Sequence, residues 1–158
     1  MPDSLAEQVQ NILLEKRLFL TTAESCTGGL IGVAMTDVSG SSRVYDRGFI
    51  TYSNEAKMDL LGVKGETLED YGAVSEETVR EMAKGALKAA PNSHVSVAVT
   101  GIAGPDGGTE HKPVGLVYIG VSHFEKGTKI FKHLFKGDRD AVRRQTVAAA
   151  FEHVMEII

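Results

Sequence analysis

The stretch TTAESCTGG at residues 21–29 decides the fold that we expect for this chain. The apolar segment 19–22 predicts a strand that leads into it, and the segment 30–35 predicts a helix that follows. Ser25 therefore lies in a strand-to-helix turn, where helix N-terminal amide groups gather partial positive charge. Such a turn suits a serine nucleophile. It equally suits Ser25 and Thr27 as caps of the following helix, so the stretch alone leaves both interpretations open.

Outward from this turn, hydrophobic periodicity predicts helices that alternate with strands. Predicted helices cover residues 4–16, 28–36, 53–61, 66–70, 75–90 and 138–157, and predicted strands cover 44–52, 94–99, 114–122 and 128–135. Asp3 or Ser4 is expected to cap the first helix, and the strand over 44–52 is expected to bulge near Gly48. The short turn between the last two strands predicts an antiparallel hairpin. Together these elements predict an α/β fold, three-layered α/β/α, with a mixed sheet.

Composition limits the class of protein. A length of 158 residues fits a single domain over 1–158. A net charge of −4 gives no basic surface for nucleic acid. No stretch approaches the about 18 apolar residues of a membrane helix, and no segment resembles a secretory signal. The one cysteine, Cys26, cannot form an internal disulfide. We therefore expect a cytoplasmic protein with no nucleic-acid or membrane partner.

Three predicted loops carry the small polar residues of the chain. They are the Ser25 turn, the junction at 52–54 with Lys57 behind it, and the glycine-rich loop 100–108. Ligands of open α/β sheets bind beyond the carboxyl ends of strands, so we expect these loops to form one site. Neither glycine-rich loop has the lysine of a phosphate-binding P-loop, which argues against ATP as the ligand.

A serine nucleophile needs a base. The five histidines are scattered over strands, a loop and a helix end, and no two ligand residues stand at metal spacing. A desolvated lysine is another route, and Lys57 lies near a helix N-terminus whose dipole disfavours its charge. Most lysines of a protein are solvated at its surface. Lys57 can therefore be either a buried general base or an ordinary surface lysine, and the sequence leaves both interpretations open. Cys26 could be the nucleophile of a cysteine hydrolase, but no histidine is paired with it. We therefore favour a role for Cys26 as a small buried side chain that fills space.

Six segments identify a family when they are taken together. They are AESCTGG at 23–29, GFITYSNEAK at 48–57, GAVS at 72–75, TGIAGPDGG at 100–108, KPVG at 112–115 and GDR at 137–139. In this order, over essentially the whole chain, they resemble the C-terminal domain family of the competence-damage-inducible protein CinA. The resemblance implies a nicotinamide-nucleotide amidase without metal or cofactor. Such an enzyme hydrolyses nicotinamide mononucleotide (NMN) to nicotinic acid mononucleotide and ammonia in pyridine-nucleotide salvage.

The resemblance also implies catalytic roles for three residues. Ser25 is expected to be the nucleophile that attacks the carboxamide carbon. Lys57 is expected to be the general base, and Tyr52 is expected to assist the proton relay or to orient the lysine. Tyr52 could instead fill one face of the sheet, and Glu24 could orient Lys57 or only cap a helix.

Substrate-binding roles are implied in the same way. Thr100 is expected to border the reacting amide and Arg139 to meet the phosphate, an arginine beside a helix N-terminus being a good anion site. Without the resemblance, Thr100 is a strand-end residue, and Arg139 is a solvated charge or a partner of a neighbouring aspartate. Backbone N–H groups of the Ser25 turn are expected to stabilise the oxyanion, and the remaining predicted substrate-binding residues are Thr27, Gly28, Gly29 and Gly101. Thr27 is also expected to cap the helix and leave the Ser25 hydroxyl free.

Two other functions fit the same residues. One is a catalytically silent nucleotide-binding module associated with competence, and the other is an amidase for a different small amide. A homodimer is implied by the resemblance alone. Some family members carry an additional N-terminal pyrophosphatase domain, which we do not expect here because the serine motif begins at residue 23.

Overall fold

A computed structural model describes residues 4–158. Its helices are α1 (Leu5–Lys16), α2 (Leu30–Thr36), α3 (Asn54–Leu61), α4 (Gly65–Tyr71), α5 (Glu76–Ala89) and α6 (Arg139–Ile157). Its strands are β1 (Leu20–Glu24), β2 (Tyr45–Ile50), β3 (Val95–Gly101), β4 (Leu116–His123) and β5 (Gly127–Leu134). A 3₁₀ turn, Ser41–Arg43, precedes β2. Every predicted helix and strand is present, with ends that differ by one or two residues.

One mixed sheet in the order β2-β1-β3-β4-β5 forms the middle layer. Strands β2, β1 and β3 are parallel, whereas β4 is antiparallel to both β3 and β5. A buried apolar cluster joins one face of the sheet to α1, α2 and α6. A second cluster joins the opposite face to α3, α4 and α5. The predicted three-layer α/β/α fold with a mixed sheet is therefore confirmed.

Side-chain caps fix the starts of four helices, and the predicted cap Ser4 is one of them. Ser4 accepts a hydrogen bond from the Glu7 N–H at the start of α1, while Asp3, the alternative cap, lies outside the described residues. Three further caps accept from backbone N–H groups three residues later; they are Ser53 for α3, Ser75 for α5 and Asp138 for α6. Because α3 begins after Ser53, Lys57 falls in its first turn.

The predicted bulge in β2 is present, but it lies at Asp46, two residues before Gly48. The register skips Asp46 between the β1 partners Leu20 and Thr21, whereas Gly48 pairs regularly with Thr22. A glycine is needed at position 48 for lack of space. A Cβ there would lie 2.5 Å from the Tyr45 hydroxyl and 2.7 Å from the Thr22 hydroxyl. Those two hydroxyls share a hydrogen bond of 2.7 Å across the strands. The glycine makes room for that bond.

Within residues 4–158 the helices are too short or too polar to cross a bilayer.

Candidate active site

The carboxyl ends of the three parallel strands bring the predicted loops together. Ser25 directly follows β1, Thr51 follows β2, and Thr100 lies near the end of β3. The Ser25 N–H donates to the Val99 carbonyl at 3.2 Å. On the other side, the Thr51 N–H donates to the Glu24 carbonyl at 2.8 Å. The strand ladders thus continue to the point where the loops diverge, and they hold the serine between its two neighbouring strands.

Lys57 contacts the hydroxyl of Ser25. The distance from Lys57 Nζ to Ser25 Oγ is 3.1 Å. The same Nζ lies 2.9 Å from the Thr51 carbonyl oxygen and 3.2 Å from the Tyr52 carbonyl oxygen. Lys57 is only 1% exposed and Ser25 only 7%. The lysine therefore is not the solvated surface group that lysines usually are.

The surroundings of Lys57 favour its neutral form. Burial lowers the pKa of Lys57, and the Cys26 thiol opposes this only in part. Burial also raises the pKa of Cys26 to about 12, so the thiol is protonated at neutral pH. In residues 4–158 no ion pair joins Lys57 to a carboxylate. A neutral amine has two hydrogens for the two carbonyls, which leaves its lone pair facing the Ser25 hydroxyl.

A pocket of about 170 Å³ opens in front of this pair. Ser25, Cys26, Lys57 and Thr100 form its polar base. The remaining lining residues form its walls and rim; they are Tyr52, Ala73, Val74, Gly101, Ala103 and Arg139. Ser25, Lys57, Tyr52, Thr100, Gly101 and Arg139 are thus brought together as the sequence predicts. A pocket of this size suits one planar ring with a small polar substituent.

Tyr52 lies at the rim rather than beside the proton path. Its side chain is 64% exposed, and its hydroxyl lies 3.4 Å from Arg139 Nη2. Its backbone carbonyl, not its phenol, contacts Lys57. Tyr52 therefore orients Lys57 through its backbone carbonyl. Its phenol lies in the outer part of the pocket.

Arg139 is an exposed cation at the same rim. Its Nη1 donates to the Gly104 carbonyl at 2.7 Å. The neighbouring aspartates have other partners: Asp138 caps α6, and Asp140 pairs with Arg144 at 2.8 Å. Pairing of Arg139 with either aspartate is therefore excluded, and its charge is directed across the pocket mouth.

Thr100 and Gly101 border the pocket for different reasons. The Thr100 hydroxyl donates to the Ala73 carbonyl at 2.9 Å and so ties β3 to the segment between α4 and α5. A Cβ on Gly101 would lie 2.6 Å from the side chain of Val117 and 2.9 Å from the Leu116 carbonyl. Close packing against β4 therefore explains Gly101 without a ligand.

Glu24 caps α2 from the end of β1. Its buried carboxylate accepts hydrogen bonds from the Ile31 N–H at 2.8 Å and the Gly32 N–H at 3.0 Å. The Thr27 hydroxyl donates to the same carboxylate at 2.5 Å. Thr27 as the cap of α2 is therefore wrong, because its side chain binds Glu24 and the N-cap position belongs to Gly29. Of the two roles open for Glu24, the structure assigns the cap.

Thr27, Gly28 and Gly29 do not line the pocket. Thr27 is fully buried, and the two glycines have φ angles of 61° and 111°, which favour glycine. They shape the turn behind the nucleophile, and their contact with substrate stays a prediction.

Arg143 is a site residue that the sequence did not reveal. Its Nε donates to the Cys26 carbonyl and its Nη2 to the Thr27 carbonyl, both at 3.1 Å. The one available signal was its spacing: Arg143 stands four residues after Arg139, so both lie on one face of α6.

The histidines do not approach Ser25. The His94 ring accepts from the Phe19 N–H, His123 accepts from the Glu125 N–H, and His133 faces His153 at 2.7 Å. Over the described residues no three His, Cys, Asp or Glu side chains converge as a metal site would require. A buried serine and a lysine of lowered pKa are thus the reactive pair that this pocket offers.

The fold and the pocket define an α/β protein with a serine–lysine pair at the carboxyl edge of a parallel sheet. More particularly, residues 2–158 match the family described as the CinA C-terminal domain, and the chain belongs to that family.

Relatives fall into two length classes. The chain is 52% identical over 147 residues to a putative competence-damage inducible protein of Acetivibrio thermocellus, covering 93% of this chain and 35% of that protein. It is 51% identical over 148 residues to the nicotinamide-nucleotide amidohydrolase PncC of Escherichia coli, covering 94% of this chain and 89% of PncC. The chain thus spans about a third of one relative and most of the other.

Solved structures have the same fold. The competence/damage inducible protein CihA from Agrobacterium tumefaciens superposes with a TM-score of 0.93 at 43% identity, covering 99% of this chain and 97% of that one. A CinA superfamily protein from Escherichia coli also gives 0.93, at 36% identity, covering 98% of this chain and 88% of that one.

Proposed function

We propose that this protein is an amidohydrolase that converts NMN to nicotinic acid mononucleotide and ammonia through Ser25 and Lys57. The proposal depends above all on the 3.1 Å contact between Lys57 Nζ and Ser25 Oγ at the base of the pocket. The substrate is supported by 51% identity to the protein named nicotinamide-nucleotide amidohydrolase, of which this chain covers 89%.

Acylation begins with neutral Lys57. The amine takes the proton of the Ser25 hydroxyl while Oγ bonds to the carboxamide carbon. The resulting lysine ammonium then gives a proton to the amide nitrogen of the tetrahedral intermediate. The carbon–nitrogen bond breaks, ammonia leaves, and an ester joins Ser25 to the pyridine carbonyl. The two carbonyls of Thr51 and Tyr52 hold the amine in one orientation through both proton transfers.

Deacylation repeats these steps with water. Lys57, neutral again, removes a proton from a water molecule that attacks the ester carbon. Collapse of the second tetrahedral intermediate returns the proton to Ser25 Oγ and releases the carboxylic acid. The net change is one amide and one water converted to one acid and one ammonia.

Backbone amides of the turn are the donors we assign to the oxyanion. Within residues 4–158 the Cys26 and Thr27 N–H groups donate no hydrogen bond to another residue. They lie in the turn directly after the nucleophile, before α2 begins at Leu30. One such donor contributes about 3–4 kcal/mol to transition-state stabilisation.

The two ends of the substrate fit different parts of the pocket, its bottom and its rim. Its volume of about 170 Å³ suits the pyridine carboxamide and leaves the ribose phosphate outside. Arg139 at the rim then meets the phosphate, since a guanidinium binds a phosphate with two parallel hydrogen bonds. Action within the cytoplasm in pyridine-nucleotide salvage, an amidase domain over 1–158 and a homodimer stay predictions.

Ammonia release from NMN tests the proposal. The purified protein is incubated with NMN, with its riboside, which lacks the phosphate, and with other small amides. We expect turnover of NMN and a kcat/KM for the riboside that is lower by about tenfold or more, because Arg139 loses its partner. Ser25→Ala is expected to lose about 1,000-fold or more in kcat.

Ser122→Ala is the matched control. Ser122 is also a buried serine with one side-chain hydrogen bond, to Thr128 at 2.8 Å, but it lies in β4. It is expected to keep full activity. Tight NMN binding without turnover would instead indicate a silent nucleotide-binding module, and turnover of another amide alone would change the substrate. Full activity of Ser25→Ala would exclude Ser25 as nucleophile.

A further inference from the structure

Arg143 holds the nucleophile turn from behind. It is half-buried on α6 and does not line the pocket. Its guanidinium donates to two consecutive carbonyls, those of Cys26 and Thr27, each at 3.1 Å. More than a hundred residues separate α6 from this turn, so tertiary packing alone creates the contact.

The charge of Arg143 is committed to this turn. Among the described ion pairs none includes Arg143, whereas the next residue, Arg144, pairs with Asp140. Hydrogen bonds from a charged donor are roughly twice as strong as neutral ones. A half-buried pair of such bonds is therefore a strong constraint on the backbone of the turn.

The hydrogen bonds from Arg143 to the two carbonyls also fix the directions of the N–H groups that follow them. In a planar trans peptide the carbonyl and the following N–H point in opposite directions. Because Arg143 holds the Cys26 carbonyl, the Thr27 N–H faces away from Arg143. Because it also holds the Thr27 carbonyl, the Gly28 N–H faces away too, and it donates to the Ser25 carbonyl at 3.1 Å. The Thr27 N–H keeps no partner within residues 4–158.

Without Arg143, fewer contacts would hold this segment. Gly28 and Gly29 have left-handed backbone conformations, with φ angles of 61° and 111°, and glycine moves easily between conformations. Glu24 restrains the Thr27 side chain and the start of α2, but it binds neither carbonyl of the turn. Arg143 is thus the side chain that fixes the peptide planes next to the nucleophile.

We propose that Arg143 is a positioning residue that orients one backbone amide of the Ser25 turn, the Thr27 N–H, toward the oxyanion. The inference rests on the proposed function, since it assumes that Ser25 attacks a carbonyl. Arg143 touches no substrate in this account. Its loss therefore weakens binding of the transition state and leaves ground-state binding, which depends on the pocket and Arg139, nearly unchanged.

The test compares Arg143→Met with Arg144→Met, neighbouring arginines of one helix. With NMN as substrate, we expect Arg143→Met to lose about 30-fold in kcat with KM within about threefold, because preorganised donors act mainly on the transition state. Arg144→Met should match the wild type. The folded fraction of each variant is measured by thermal unfolding, and kcat is expressed per folded molecule, so simple loss of folded protein is removed from the comparison.

Two further measurements separate positioning from a general structural role. Arg143→Lys keeps the charge but can reach both carbonyls less well, so an intermediate kcat is expected. Added guanidinium at millimolar concentration should restore part of the kcat of an Arg143→Ala variant and none of that of Ser25→Ala. The proposal is overturned if Arg143→Met retains the kcat of Arg144→Met, or if only its KM changes.

Labelling with a fluorophosphonate distinguishes this inference from the proposed function. Ser25 Oγ would bond to phosphorus and release fluoride, with Lys57 taking the proton, and intact mass reports the adduct. The wild type should label faster than Arg143→Met by about tenfold or more, since the phosphonyl oxygen uses the same amides. A wild type that labels but ignores NMN contradicts the substrate alone. A wild type that does neither contradicts the reactive serine, and this inference with it.

Discussion

The two halves of the sheet use buried polar groups differently. At the carboxyl edge of β2, β1 and β3, Lys57 is buried with no carboxylate partner in the described structure, and burial lowers its pKa. In the β4–β5 hairpin, Ser122 and Thr128 bind each other, and the buried His123 accepts from two backbone N–H groups. The parallel edge thus holds a buried lysine without a counter-charge among residues 4–158, and the hairpin holds polar groups that bind one another.

This difference has a free-energy cost and a compensation. Burial of an ionisable group without a counter-charge disfavours the folded state when that group is charged. The hairpin strand β4 buries Val117, Ile119 and Val121 completely, and such burial stabilises the fold by about 1.5–3 kcal/mol per side chain. We infer that the burial of apolar side chains in the antiparallel half offsets the free-energy cost of burying Lys57 at the parallel edge. Changes in the first half should therefore alter activity, and changes in the second should alter stability.

Lys57→Met gives the largest expected effect. The variant removes the base but keeps most of the apolar volume of the side chain, so kcat should fall by about 1,000-fold or more while the fold persists. Lys129→Met, an exposed lysine of β5, is the control in the hairpin and should keep full activity. Ammonia release and thermal unfolding are measured for both. Equal activity of the two variants would contradict the expectation that the parallel edge of the sheet, and not the hairpin, determines activity.

Ile119→Ala tests the hairpin from the other direction. Ile119 is fully buried in β4 and pairs with Val99 and Phe131, so the variant should lose about 3 kcal/mol of unfolding free energy. Urea unfolding measures this loss, and Ile119→Val should lose only about 1 kcal/mol. Activity per folded molecule should stay within about twofold of wild type, since the base and nucleophile are untouched. A specific loss of kcat would mean that the hairpin shapes the site.

The pH profile of activity reports the state of Lys57. In the proposed mechanism the neutral amine is the base, so kcat/KM should rise about tenfold per pH unit below the lowered pKa of Lys57 and level off above it. The direction for stability follows from the same pKa. Between the lowered value and 10.5 the unfolded chain binds the proton and the folded chain does not. Stability of wild type relative to Lys57→Met should therefore rise with pH through that window.

The control for this profile is Ser122→Ala, which should reproduce the wild-type curve. A kcat/KM that shows no rising limb at any pH at which the protein stays folded would argue against Lys57 as the base.

The histidine pair that joins β5 of the hairpin to α6, His133 and His153, gives the smallest expected effect. Burial, and then the charge of His153 on α6, lowers the pKa of His133, while Glu152 and Glu156 oppose the shift. The unfolded chain therefore binds more protons than the folded chain below 6.5, and stability is lost as pH falls from that value. His133→Gln should lose less stability than wild type between pH 7.5 and 5.0 in urea unfolding. Lys132→Gln, exposed on the same strand, should behave like wild type.

Much of this fold could be predicted because its signals are local. Ser53, Ser75 and Asp138 cap helices by side-chain bonds within three residues, and the apolar periods around them give each helix and strand. The exact position of the bulge in β2 could not be predicted from Gly48, because this glycine makes room for a hydrogen bond between hydroxyls of two different strands. The error about Thr27 has the same cause. A carboxylate at the end of β1 occupies its hydroxyl, and sequence spacing does not reveal which of two capping groups prevails.

The sequence by itself determined the reactive residue types and the turns that carry them. Ser25 follows a strand, and Lys57 lies in the first turn of a helix that Ser53 begins, because backbone propensity and capping act over a few residues. Only the tertiary structure decided that β1 lies between β2 and β3. That order brings the Lys57 amine within 3.1 Å of the Ser25 hydroxyl, and no carboxylate of residues 4–158 pairs with this amine. It also brings α6 behind the turn, where Arg143 binds two carbonyls. Desolvation and strand order depend on the packing of the whole chain, so no local pattern could reveal them.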